Sequence, residues 1–139
     1  YGAIGNDKNA IAPGKRMLSS MTPAIVLKNN KPFIIVGTPG GTTIPTSVFQ
    51  TLVNIIDYKL SASDAVNKPK FHHQWLPDLI YVEKDFPADT RQELIQMGYV
   101  IQERIPIGRT ELVEINYTKK GKTITGIADK RGDDDARGY

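Results

Sequence analysis

Two adjacent hydroxyls, Ser19 and Ser20, sit in the segment Lys15-Arg16-Met17-Leu18-Ser19-Ser20-Met21-Thr22-Pro23, directly ahead of an apolar run. Hydroxyls and their neighbouring backbone N–H groups donate to carboxylates, and hydrogen bonds to an ionised acceptor are shorter and stronger than neutral ones. The pair therefore suits a clamp on a carboxylate; it suits equally a turn before a strand, where serine is common. Further on, Gly37-Thr38-Pro39-Gly40-Gly41 joins an apolar run to a helical pattern. N–H groups at a helix start lack intrahelical acceptors, and the helix dipole there favours negative charge. Glycine lets a substrate approach the backbone with no Cβ in the way. A pair of such N–H groups, here those of Gly40 and Gly41, is what an oxyanion hole requires. The plainer alternative is a strand-to-helix turn that needs glycine only for its backbone angles.

Other chemistry-bearing residues point to structure. His72-His73 are adjacent, and neighbours in an extended segment face opposite sides, which is poor geometry for one shared metal. Phe71 and Trp75 flank them, so packing and hydrogen bonding is the expected role. Asp133-Asp134-Asp135 lacks the alternating ligand spacing of a calcium loop. There is no cysteine, which removes disulfides and thiolate chemistry. No Ser-His-Asp arrangement has a supporting motif around it. Neither a metal nor a cofactor is expected.

The elements that must hold these groups follow from periodicity. Residues 24–27 and 33–36 are apolar runs on either side of Asn29-Asn30, whose tolerance of positive φ suits a hairpin turn. Both runs are apolar at every position, the pattern of strands covered on two faces, and this length of chain cannot supply both coverings itself. From Ile44 the apolar positions recur at Val48, Leu52 and Ile55, a helical spacing that runs to about Tyr58 with Pro45 in the first turn. Ser61 or Ser63 is expected to cap a short helix through Asn67, stopped by Pro69. Residues 71–77 read as irregular and 79–83 as a strand. Residues 88–97 read as a helix closed by Gly98, and 99–104, 111–117 and 122–128 as strands. Helices set among mostly antiparallel strands predict an α+β layered fold. Residues 1–139 are expected to form a single partial domain, with 1–15 as an irregular lead-in.

Composition narrows the class. Apolar residues make up 40% and charged residues 24% of the 139, which fits a globular segment. The apolar stretches 24–27 and 33–36 are far too short to cross a bilayer. The net charge of +3 is scattered, without the basic face and aromatics of a nucleic-acid binder, so no nucleic-acid partner is expected. Tyr1 is not Met, and the expectation is a cut or processed N-terminus.

In order and spacing, these pieces together resemble the small subunit of the γ-glutamyltranspeptidases. The resemblance rests on Lys15-Arg16-x-Leu18-Ser19-Ser20-Met21-x-Pro23 and Gly37-x-Pro39-Gly40-Gly41, then Asn54-x-Ile56-Asp57-Tyr58 and Ala65-x-Asn67. It continues through Phe71-His72-His73-Gln74-Trp75-Leu76-Pro77 to the closing Gly138-Tyr139. The resemblance implies an N-terminal-nucleophile hydrolase, with part of an αββα four-layer sandwich, made as a self-cleaving precursor. Its freed N-terminal Thr attacks the γ-glutamyl carbonyl of glutathione or a related amide, and water or an acceptor amine takes the glutamyl group. By the same resemblance Ser19 and Ser20 bind the α-carboxylate, and Gly40 and Gly41 donate to the oxyanion. The nucleophile, further upstream residues and a large-subunit Arg that grips the glutamate are expected to lie outside this chain, leaving it inactive alone. Thr38 stands where Ser is common and Met17 replaces a frequent Pro; both changes spare main-chain donors. The implied partners are the remainder of the small subunit and the large subunit, and the implied location is periplasmic, secreted or on the outer face of a membrane. The alternatives are a related glutaryl or cephalosporin acylase, and a catalytically inert association module that self-associates to cover its sheet.

Overall fold

The computed structural model describes residues 7–17, 19 and 21–138. The first two apolar runs form a hairpin, β1 (Ala24–Lys28) and β2 (Lys31–Gly37), with Asn29 at φ 53° and Asn30 at φ 59°. Asparagine accepts this left-handed region at low cost, which is why the turn closes here. Two later strands, β6 (Glu111–Thr118) and β7 (Gly121–Ile127), complete an antiparallel sheet of order β1-β2-β6-β7. A second sheet, of order β3-β4-β5, contains β3 (Phe71–His72), β4 (Ile80–Val82) and β5 (Ile101–Glu103).

Three helices connect or cover these strands among the described residues. Helix α1 (Ile44–Ile56) carries Pro in its first turn, and α2 (Ala62–Asn67) is capped by Ser61, whose Oγ accepts from Asp64 N at 3.1 Å. Of the two candidate caps, Ser61 is the one used. Helix α3 (Ala88–Gln96) ends before Gly98, at φ 95°. Helix α1 stops at Ile56, short of Tyr58, because the Val53 carbonyl takes both Asp57 N and Tyr58 N while Lys59 turns left-handed at φ 57°.

The α+β expectation holds, with two local differences. Phe71 and His72, expected to be irregular, pair with Val82 and Tyr81. Strands β4 and β5 run parallel, Ile80 opposite Ile101, which a short hairpin cannot produce and the crossover through α3 does.

One face of the larger sheet is covered. Ile34 and Val36 of β2 and Leu112 of β6 pack with Val48, Ile55, Ala65 and Val66 from α1 and α2 into the core. On the other face Ile25 is 65% and Leu27 59% exposed, with Ile35 and Ile124 also open. Ile25 pairs with Ile35, so the open apolar positions are continuous across β1 and β2, and half-buried Val113 of β6 lies beside Ile35. Among the described residues the all-apolar strands are thus covered on one face.

A buried ionic cluster ties the two sheets together. Arg131 grips Glu83 with Nε at 2.7 Å and Nη2 at 2.6 Å, and bonds Asp129 through Nη1 at 2.9 Å. Its remaining N–H groups go to the Val66 and Lys68 carbonyls at the end of α2. Lys70, only 2% exposed, donates to Val66 O and lies 3.5 Å from Asp129. The carboxylates are also anchored by backbone donors: Glu83 by Ile107 N and Lys70 N, Asp129 by Thr110 N and Arg131 N. The cluster is neutral in sum, and it fixes both ends of the 107–110 loop.

Candidate active site

The glycine turn leaves β2 and enters a 3-10 turn, Gly41–Thr43, that continues into α1. Gly40 has φ 147° and ψ 10°, and Gly41 has φ 58°. A side chain at 40 would meet two obstacles: the strained backbone angle, and the Thr43 hydroxyl inside contact distance of any Cβ. Because ψ is the rotation that separates successive backbone nitrogens, a value near zero brings the nitrogens of Gly40 and Gly41 to the same side. Successive N–H groups arranged this way form a small concave anion site.

Both peptide planes of the turn are held by their carbonyls. Thr38 Oγ1 donates to Pro39 O at 2.8 Å. Gly40 O accepts from Thr43 N at 3.1 Å and from Thr43 Oγ1 at 2.9 Å. In a trans peptide the N–H points opposite to the C=O, so Gly40 N–H and Gly41 N–H face away from these bonds. Among the described residues neither N–H donates to another group.

Two further contacts surround the turn. On one side, Arg109 N donates to Thr38 Oγ1 at 2.8 Å, and Gly108, at φ 70°, lies so close that a Cβ there would meet Ser47 Oγ at 2.8 Å and Thr38 Oγ1 at 2.9 Å. This is the loop that the buried ionic cluster anchors. On the other side, Thr42 Oγ1 donates to Gln74 Oε1 at 2.7 Å, which also lies 2.9 Å from His72 Nε2. His72 is buried, with Nδ1 2.8 Å from Thr46 Oγ1 on α1. The histidine pair is split as its extended backbone requires: His72 faces inward, while His73 lies 3.2 Å from Asp78 near the surface. Asp133 and Asp134 pair with Arg109, and Asp135 with Arg137.

Electrostatics concentrate in the ionic cluster. Burial alone would raise the Glu83 carboxyl, but its Arg131 fork and the Ile107 and Lys70 N–H groups outweigh burial and hold it below the usual range. Asp129 is likewise held low: the Thr110 and Arg131 N–H groups and the two cations overcome its burial. Burial, with Arg131 nearby, lowers Lys70. These groups lie behind the turn and act as a scaffold.

Ser19 is exposed in the irregular stretch ahead of β1, and Ser20 lies outside the described residues. Ala24 pairs with Val36, so the chain entering β1 and the chain leaving β2 toward Gly40 lie at the same end of the sheet. Among the described residues no hydrogen bond joins Ser19 to the glycine turn. The Thr38 and Thr43 hydroxyls, the close approach of Gly108 and the ionic cluster were not singled out by sequence reasoning. Gly108 was the one with a local signal, a glycine directly after Ile105-Pro106-Ile107; the others depend on partners as far as 71 positions away.

Comparison with known proteins bears on this geometry. The γ-glutamyltranspeptidase family model matches residues 2–139. The chain is 43% identical over 135 residues to a glutathione hydrolase proenzyme of Escherichia coli (strain K12), covering 97% of this chain and 23% of that protein. It is 42% identical over 136 residues to one from Pseudomonas aeruginosa, covering 95% and 24%. It therefore spans about a quarter of the length of these curated relatives. Among solved structures, a mutant γ-glutamyltranspeptidase of Helicobacter pylori superposes with a TM-score of 0.87 at 46% identity, covering 93% of this chain and 70% of that one. A cephalosporin acylase from Bacillus halodurans gives 0.80 at 29% identity, covering 92% and 24%.

Proposed function

Since this chain belongs to the γ-glutamyltranspeptidase family, we propose that it is the C-terminal part of an enzyme that transfers or hydrolyses the γ-glutamyl group of glutathione and related γ-glutamyl amides. The observation that carries this reading is the Gly40–Gly41 turn, with ψ 10° at Gly40 and both carbonyls occupied. That turn leaves two N–H groups on one side for a developing oxyanion.

In this reading a threonine outside the 139 residues adds its hydroxyl oxygen to the γ-carbonyl, an amine base taking the proton. The carbonyl π electrons move to oxygen, and Gly40 N–H and Gly41 N–H donate to the resulting anion. Collapse of the intermediate expels the amine, which leaves with a proton, and gives an ester on the threonine. Water or an acceptor amine then attacks the ester through the same pair of donors. Loss of one such donor costs about 2.7–4 kcal/mol of transition-state stabilisation. Ser19 and Ser20 hold the substrate's α-carboxylate, and the shared sheet end of the β1 entry and the β2 exit supports that placement. No cofactor is needed for these steps.

The remainder of the small subunit and the large subunit are the proposed partners. The open positions Ile25, Leu27 and Ile35, with Ile124 on β7, give them apolar sheet surface to cover. Among the described residues no helix is long and apolar enough to cross a membrane. The periplasm, the medium or the outer face of a membrane is the proposed location.

A glutaryl or cephalosporin acylase is the competing activity, supported by the acylase superposition; the higher identity to glutathione hydrolases favours γ-glutamyl donors. The test assays the complete parent chain, in parallel, with γ-glutamyl-p-nitroanilide and glutaryl-p-nitroanilide. Preference for the γ-glutamyl donor is expected, because the glutaryl donor lacks the α-amino acid head. Preference for glutaryl would overturn the assignment.

A further inference from the structure

We propose that the hydroxyls of Thr38 and Thr43 are positioning groups that each hold one of the two peptide planes whose N–H groups form the oxyanion site. The inference rests on the oxyanion role given to Gly40 and Gly41 above, and assigns the turn's orientation to side chains that never touch substrate. Each amide donor belongs to a peptide unit whose other end is a carbonyl. The unit of Gly40 N–H ends in Pro39 O, which accepts from Thr38 Oγ1 at 2.8 Å; the unit of Gly41 N–H ends in Gly40 O, which accepts from Thr43 Oγ1 at 2.9 Å. Rotation of either plane would break a hydroxyl bond.

The two threonines are held in different ways. Thr43 is buried at the start of α1, and its own N–H bonds the same Gly40 carbonyl. Thr38 is oriented because its oxygen also accepts from Arg109 N at 2.8 Å, which leaves its single proton for Pro39 O. The glycines need this help. With no Cβ, φ at Gly40 and Gly41 is otherwise weakly restricted, and a donor turned away from its acceptor weakens steeply as the N–H···O angle closes.

The experiment places Thr38→Val, Thr38→Ser, Thr43→Val and Thr43→Ser separately in the complete parent chain and measures kcat and KM per titrated active site. Valine keeps the shape and removes the hydroxyl; serine keeps the hydroxyl. The expected result is a kcat about 10- to 100-fold lower for each valine variant, less than the full loss of a donor, with KM within about twofold and serine restoring kcat to within about threefold. Where a valine variant fails to accumulate, alanine at the same position replaces it. Valine variants with wild-type kcat, a loss confined to KM, or serine variants as impaired as valine would overturn the proposal. A wild-type parent inactive on γ-glutamyl donors defeats the functional reading alone. Hydrogen exchange in the 38–46 peptide then decides the positioning role: faster in valine but not serine variants supports it, and unchanged exchange refutes it.

Discussion

Replacing Arg131 with methionine in the complete parent removes the arginine that links both carboxylates of the buried cluster. The Arg131 side chain is 6% exposed and Glu83 10%, so water screens the pair little. The substitution deletes two bonds to Glu83, one to Asp129 and two to the carbonyls of Val66 and Lys68. Glu83 keeps the Ile107 and Lys70 N–H groups and Asp129 keeps Thr110 N and the backbone N–H of residue 131, but two buried anions then face one cation, Lys70. Breaking a buried pair by removing one partner costs about 3–5 kcal/mol. At about 1.4 kcal/mol per factor of ten, opening of the region becomes roughly a hundred to a few thousand times more frequent. The assay is native-state hydrogen exchange in peptides spanning 62–72 and 104–112, with the guanidinium midpoint as a second measure. Arg131→Met combined with Glu83→Gln restores neutrality and should cost clearly less than the sum of the single changes. A single-variant effect below about 0.5 kcal/mol, or strict additivity in the pair, would refute the view that this cluster is a coupled scaffold.

The same cluster and turn respond to pH and to a single added methyl group. Glu83 and Asp129 are held below the usual carboxylate range, so their stabilisation is complete above the unfolded carboxylate value, about pH 4, and is lost as pH falls through their folded values. Protection in the 104–112 peptide, corrected for the intrinsic pH dependence of exchange, should fall below that point in the wild type and less steeply in Glu83→Gln, where only Asp129 is left to titrate. Gly40→Ala would require φ 147° of a residue with a Cβ and would press on the Thr43 hydroxyl, so kcat of the parent should fall by about 100-fold or more with the substrate carboxylate still bound, measured by steady-state kinetics.

Local code carried much of the secondary structure. Asn29-Asn30 closes its hairpin by tolerating positive φ, Pro45 and the Val48–Leu52–Ile55 spacing place α1, and Gly98 ends α3. Gly37-Thr38-Pro39-Gly40-Gly41 was legible as a strand-to-helix turn with free amides, because glycine at a helix start leaves a backbone signature. Strands β3 to β5 were less legible: β3 is two residues long, and the parallel pairing of β4 with β5 depends on where α3 returns the chain.

The order of motifs was enough by itself to assign the family and to mark Ser19, Ser20, Gly40 and Gly41 as the residues to watch, since these rest on residue type and spacing along the chain. Tertiary structure alone decided which way the turn's amides face. That direction depends on Thr38 receiving Arg109 N from 71 positions away, and on an anchored loop that brings Gly108 against the turn. It likewise decided that Lys70, Glu83, Asp129 and Arg131, dispersed over the chain and unremarkable in local pattern, meet in one neutral cluster. Charge compensation is a property of distances in space, and sequence separation does not encode it.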